Sequence, residues 1–199
     1  MNWGDIQIES LKKMFLNTEE LLVSSLATYK ADKKYKTYLF AMPQACNEAI
    51  NYIAARLGTE VHLYQLTREE TNHLYDLSEI SDLSNLRKVR DLICPAGVTW
   101  KMITKDLIEI DGWVDGDVYL RYEITPEEIT STTSADTDIG LEPAHATIVP
   151  LYIAGELYKD DDLSMSTMYM NEFFNMLTAF EADISLMSNP TIETIYRIE

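Results

Sequence analysis

The stretch LYIAGELYKDDDLSMSTMYMNEFFNML, residues 151–177, decides how the chain is read. Together with the residues before it from 144, its first part is apolar on nearly every face: Ile148, Val149, Leu151, Tyr152, Ile153, Ala154, Leu157 and Tyr158 leave little polar surface. That pattern predicts a helix over 144–159 covered by neighbours on several sides. Asp160, Asp161 and Asp162 interrupt the run. A second helix follows, with Met165, Met168, Tyr169, Phe173, Met176, Leu177 and Phe180 on one stripe, so the two form an αα-hairpin about the acidic turn.

Helical period also governs the N-terminal part. Ile8, Leu11 and Phe15 make a short stripe with Asp5 as its N-cap, and Asn17 with Glu20 has the form of a capping box ahead of Leu22, Leu26 and Tyr29. Tyr35, Tyr38, Leu39 and Met42 come next, after which Pro43 either kinks that helix or opens a new one as its first residue. Cys46, Ala49, Ile50, Ile53 and Leu57 continue at helical spacing, and Gly58 supplies a left-handed stop. Residues 5–57 therefore read as a helical hairpin or small bundle.

Between these helical parts the period shortens to two. EVHLYQL, LYDLSEI, RKVRDLI, VTWKMI, KDLIEI and DVYLRYEI are short, rich in β-branched and aromatic residues, and separated by turn residues such as Pro95 to Gly97 and Asp111-Gly112. They predict a small antiparallel β unit that closes at Thr125-Pro126, and the polar run 130–138 reads as an exposed loop. The expected fold class is α+β: a helical bundle formed by N-terminal and C-terminal hairpins, with a β insertion between them. Its parts are 1–58, 59–140 and 141–199, the first and last making one helical domain. Beyond Pro190, TIETIYRIE reads as an extended arm.

The chain has 199 residues, 46 % of them hydrophobic and 25 % charged, which suits an ordinary globular protein and excludes collagen-like or disordered classes. The 16 basic residues against 33 acidic ones give a net charge of −17, which opposes sequence-independent binding to nucleic-acid phosphates or anionic lipid. The acid lies in the last two thirds, since residues 1–58 alone are nearly neutral. The first twenty residues mix charges and carry no apolar core of the secretory type, and no apolar run approaches the roughly 20 residues needed to span a bilayer. A soluble protein made in a cytoplasm is expected, with no membrane partner.

Candidate chemistry is sparse. Cys46 or Cys94 with His62, His73 or His145 would make a thiolate pair, but Cys46 lies on an apolar stripe and Cys94 beside Pro95, where packing explains them better. Asp160 to Asp162, or Asp111, Asp115 and Asp117, offer carboxylate oxygens without the spacing of an EF-hand loop, and read as solvated turns. Phosphate-binding, nucleophile-elbow and zincin motifs are absent, so no catalytic, cofactor or metal residue is assigned. Aromatic residues suit interfaces, where rings bury large areas at small entropy cost. Tyr152 and Tyr169 fall on core helices, whereas Trp3, ahead of the first helix, is expected to dock on a neighbour. In the arm, Thr191, Ile192, Ile195, Tyr196 and Ile198 are expected to add to a neighbour's exposed edge.

This order of elements resembles the head-to-tail connector, or adaptor, proteins of tailed bacteriophages. The pieces that carry the resemblance are IQIESLKKMF, YKTYLFAMPQACNEAINYI, VTWKMITKDLIEI, DGDVYLRYEITPEEI, PLYIAGELYKDDD and MNEFFNML, which together span most of the chain. The resemblance implies a non-enzymatic virion protein without a cofactor. It would form a homo-oligomeric ring, expected to be a dodecamer, beneath the portal protein, extend the DNA channel and offer a platform to the tail or a second neck protein. It would sit at the head-tail interface after assembly in the host cytoplasm. The competing reading, from charge alone, is an acidic DNA mimic that blocks the basic cleft of a DNA-binding protein.

Overall fold

The computed structural model describes residues 1–15, 21–67, 73–95, 97–112 and 118–187, with the side chains of 185–187 left out. The fold is α+β, with helices and two small antiparallel sheets. Its residues group into two units: Met1–Leu57 with Glu128–Ile139 and the described part of Pro143–Glu199, and Gly58–Glu127 with Gly140–Glu142.

In the helical unit, α1 (Trp3–Phe15) starts earlier than its apolar stripe suggests. Its cap is Asn2, whose Oδ1 accepts the Asp5 N–H at 2.9 Å while Asp5 Oδ2 accepts the Asn2 N–H at 3.3 Å. Asp5 is thus the return partner of a reciprocal cap, not the cap itself. The run 130–138 is largely the exposed loop that was expected, but it groups with the helical unit and not with the β insertion, because it hydrogen-bonds to the start of α1. Asn2 bridges Asp138, and the N–H groups of Trp3 and Gly4 donate to Thr137 and Ala135 carbonyls at 2.8 Å each. Gly4 permits this approach, since a Cβ there would lie 2.8 Å from Val23 Cγ1 and 3.0 Å from Ala135 Cβ.

A short helix α2 (Leu26–Ala31) leads into α3 (Lys33–Leu57), which runs through Pro43 as one helix and does not restart there. Leu39, Met42, Cys46, Ala49, Ile53 and Leu57 form its buried side, and Gly58, at φ +89°, ends it as the sequence indicates. The helix expected over 144–159 is two: α4 (Pro143–Ala146) and α5 (Val149–Leu157), with Pro150 in the first turn where a missing N–H costs nothing. Every residue of α5 from Val149 to Gly155 is buried, as its all-round apolar pattern requires, because α1, α3 and α6 (Leu163–Met187) all pack against it.

The β unit holds two three-stranded antiparallel sheets. The first has order β1 (Val61–Leu66), β6 (Val118–Ile124), β3 (Leu86–Ile93); the second has β2 (Leu74–Asp76), β5 (Leu107–Asp111), β4 (Thr99–Met102). Only the first three residues of LYDLSEI are strand; Leu77–Glu79 is a 3₁₀ turn capped by the Asp76 side chain, which accepts the Ser78 N–H at 2.9 Å. The central strands β5 and β6 supply half of the buried core, with Val118, Leu120, Ile108 and Ile110 fully buried. In β1 the face turned inward is Tyr64 and Leu66, paired with Leu120 and Val118, and Leu63 points out, 63 % exposed.

Candidate interaction surface

The helix α6 is held by a narrow stripe. Ser166, Tyr169, Phe173 and Leu177, spaced three, four and four apart, are its buried residues. Asp162 caps it by accepting the N–H groups of Ser164 and Met165 at 2.9 and 3.1 Å. Gly155 of α5 lets α6 come close, since a Cβ there would meet Met170 Cγ at 2.9 Å and its backbone N at 3.2 Å. The Tyr152 ring meets Phe173 edge-on at 5.1 Å, and the Tyr169 hydroxyl donates to the Lys13 carbonyl at 2.7 Å. The Tyr158 hydroxyl donates to the neighbouring Met14 carbonyl.

More apolar surface than this stripe needs remains on α6. Leu163 is 71 % exposed and Met168 48 %, and Phe174, Met176 and Ile184 are exposed as well. Leu163 and Met168 border a shallow depression shared with Thr167 and Asn171. Leu163 and Phe174, about three turns apart, fall on one side of the helix. Met168, assigned by sequence to the core stripe, lies outside it at 48 % exposed, and Met176, two turns on from Tyr169, lies at its margin at 37 % exposed. The usable signal was a set of apolar residues too wide for one face. At about 100° per residue Met168, Met176 and Ile184 fall roughly 140°, 220° and 300° round the helix from Leu163, so these side chains do not share one face, and the depression bordered by Leu163 and Met168 is the apolar surface offered to another macromolecule.

The interface residues expected from sequence fare differently. Trp3 is 1 % exposed, so it is a core residue and not a docking side chain. The loop 130–138 hydrogen-bonds to the turn that carries it. Thr191, Ile192, Ile195, Tyr196 and Ile198 lie outside the described residues. So does the proposed capping box at Asn17 and Glu20.

The chemical candidates find structural partners. Cys46 is wholly buried, and burial pushes its thiol up to about 12, the reverse of what a nucleophile needs. Cys94 is half-buried and not joined to it. His62 lies 3.7 Å from Glu60, His73 Nδ1 is 3.4 Å from the Ile110 carbonyl, and His145 meets the Phe180 ring edge-on. In the acidic turn, Asp161 accepts the Tyr38 hydroxyl at 2.7 Å and Asp162 serves the cap, while Asp115 and Asp117 fall outside the described residues. Hydrogen bonding to Asp161, then burial, holds the Tyr38 phenol above its ordinary value. Among the described residues no group of three or more His, Cys, Asp or Glu is placed to hold a metal ion, and no helix is long and apolar enough to cross a membrane. No family model and no curated protein matches the chain.

Proposed function

We propose that this chain is a non-enzymatic structural protein of a tailed-bacteriophage virion, a head-to-tail connector that rings the underside of the portal. The observation that supports the reading is the pair of exposed apolar side chains Leu163 and Met168 at one depression of α6, which a monomer leaves in water and a neighbouring subunit would cover. In this reading the helical unit is a bundle of an N-terminal and a C-terminal hairpin, and α6 is its outward helix. The ring extends the DNA channel and gives the tail or a second neck protein its platform. It assembles in the host cytoplasm and remains at the head-tail interface.

The charge of −17 fits such a channel. An acidic inner wall repels the phosphate backbone within about one Debye length, roughly 8 Å at physiological ionic strength, so DNA slides without sticking. The arm from Thr191 to Glu199 supplies a second contact by pairing along an edge of a neighbour or of the portal. A chain cut before Thr191 should stay folded and fail to assemble; unimpaired rings would dismiss that role.

Electron microscopy of the purified protein mixed with the portal protein of the same genome tests the whole reading. Ring-shaped density beneath the portal, with the acidic residues lining its lumen, is the expected result. A folded protein that ignores the portal and binds a basic DNA-binding enzyme in a salt-dependent way would replace it with the DNA-mimic reading.

A further inference from the structure

The two most exposed large apolar side chains among the described residues are Phe40, at 78 %, and Leu163, at 71 %. Each stands beside a concentration of charge, and the two charges are opposite. Lys33, Lys36 and Phe40 follow one another on α3 at spacings of three and four, which places them on one face. Lys30 of α2 and Lys36 border the same cavity as Phe40. Residues 30–36 hold four lysines and one acidic residue, Asp32, a net charge of +3. Lys34 lies over the Phe15 and Tyr35 rings, at 5.3 and 4.9 Å, which leaves Lys30, Lys33 and Lys36 beside Phe40.

Leu163 has the reverse setting. With Met168 it borders the depression on α6, and the turn that leads into this helix carries Asp160, Asp161 and Asp162, all exposed. Residues 156–162 hold four acidic residues and one lysine, a net charge of −3. That lysine, Lys159, is paired with Glu156 and so leaves the three aspartates uncompensated. A single copy does not bring its own two faces together. Tyr38, whose hydroxyl donates to Asp161, and Phe40 are two residues apart on α3, about 200° round the helix, so Phe40 faces away from the acidic turn.

We infer that a second copy of this chain covers the α6 depression, head to tail: Phe40 of one copy seats against Leu163 and Met168 of the next, and Lys30, Lys33 and Lys36 face its Asp160–Asp162 turn. An apolar anchor in a depression supplies the binding energy, and opposite charges at the rim set the orientation and the rate of encounter. Copies that each carry −17 repel one another in most orientations, and this one sets +3 against −3. Because each copy uses two different faces, the contact is heterologous and repeats from copy to copy, which closes a ring or extends a filament. The inference rests on the reading of the α6 depression as a subunit contact and names what fills it.

Sedimentation velocity of the full chain tests it. The parent should associate as concentration rises, and less so as salt is added. Phe40→Glu and Leu163→Glu/Met168→Glu, which alter exposed side chains and should melt like the parent, should each stay single. Mixed in equal amounts they should form a one-to-one pair and nothing larger, since each supplies the face that the other lacks. Lys33→Glu/Lys36→Glu should weaken association about tenfold or more. A parent that stays single at every concentration, a mixture that stays single, or full association of Phe40→Glu or of the charge-reversed variant would overturn the contact. Normal rings beneath the portal from Phe40→Glu would overturn it too and leave the connector reading standing, whereas association as described without portal binding would uphold the contact and remove that reading.

Discussion

Glu123 shows how much one side chain can differ from its sequence context. It follows Val118, Leu120 and Tyr122 on β6, whose alternation places it on the opposite face, yet it is 1 % exposed. Arg87 and Arg90 of β3 both pair with it, and the Thr59 N–H donates to its Oε2 at 3.3 Å. The carboxylate thereby ties β3 to β6 and to the turn after α3. Replacing it with glutamine removes the charge and leaves both guanidinium groups, one 32 % and the other 39 % exposed, to be solvated by water. Glu123→Gln should therefore cost about 1–3 kcal/mol, short of the full loss seen when a wholly buried pair is broken. Denaturant unfolding at neutral pH measures it. Cys46 makes a second expectation at this scale: with its thiol buried and raised, a thiol reagent should leave it unmodified until the chain unfolds. Trp3 is buried against expectation, and the backbone bond that holds it, from its N–H to the Thr137 carbonyl, comes from far along the chain, where no local pattern announces it.

Elements were legible where period and burial agree. The six short segments of period two yield the six strands seen among the described residues, and the all-round apolar run yields the buried α5. Their boundaries were less so, because the Asn2 cap, the passage of α3 through Pro43 and the break between α4 and α5 depend on hydrogen bonds and packing outside the repeat. The exposure of Met168 was also hidden, since hydropathy counts it as core although it lies off the Ser166, Tyr169, Phe173 and Leu177 stripe. What fixes that stripe is the close approach at Gly155. In Gly155→Ala the added methyl would press on Met170, including its backbone nitrogen, so α5 and α6 must separate slightly. The helical preference of alanine recovers up to about 1 kcal/mol, and overpacking costs about 1–3 kcal/mol, so a net loss of stability is expected. A thermal melt that rises instead would mean the α5–α6 contact has slack.

At the scale of the whole molecule, five tyrosines link stability to pH. Burial is the first cause raising the phenols of Tyr122, Tyr152, Tyr158 and Tyr169 above the ordinary 10.0, and for Tyr38 the first cause is its bond to Asp161. Below pH 10 these groups keep their protons in both folded and unfolded chains, so their contribution is fully present. As pH climbs past 10 the unfolded chain releases protons first, and stability falls until the folded phenols titrate too. Thermal melts should hold with respect to these groups up to about that pH and drop beyond it, with ionisation of these five phenols, isolated from the other seven tyrosines as the absorbance lost in single Tyr→Phe variants, appearing together with unfolding. Gradual ionisation of these five in a fully folded chain would contradict the contacts on which this rests.

Assembly is the property that the exposed apolar side chains are proposed to serve, and it can be separated from folding. Leu163 and Met168 lie outside the buried stripe of α6 and border the same shallow depression. Since neither belongs to the core, Leu163→Glu/Met168→Glu should change the stability of the single chain by no more than about 0.5 kcal/mol per site. In a ring the same two charges would have to leave water at the contact with the next subunit, where an unpaired carboxylate is strongly disfavoured. The variant should therefore melt like the parent chain and fail to add density beneath the portal. Normal rings from this variant would place the subunit contact elsewhere and remove the observation on which the connector reading stands. A lowered melting temperature would instead return both residues to the fold.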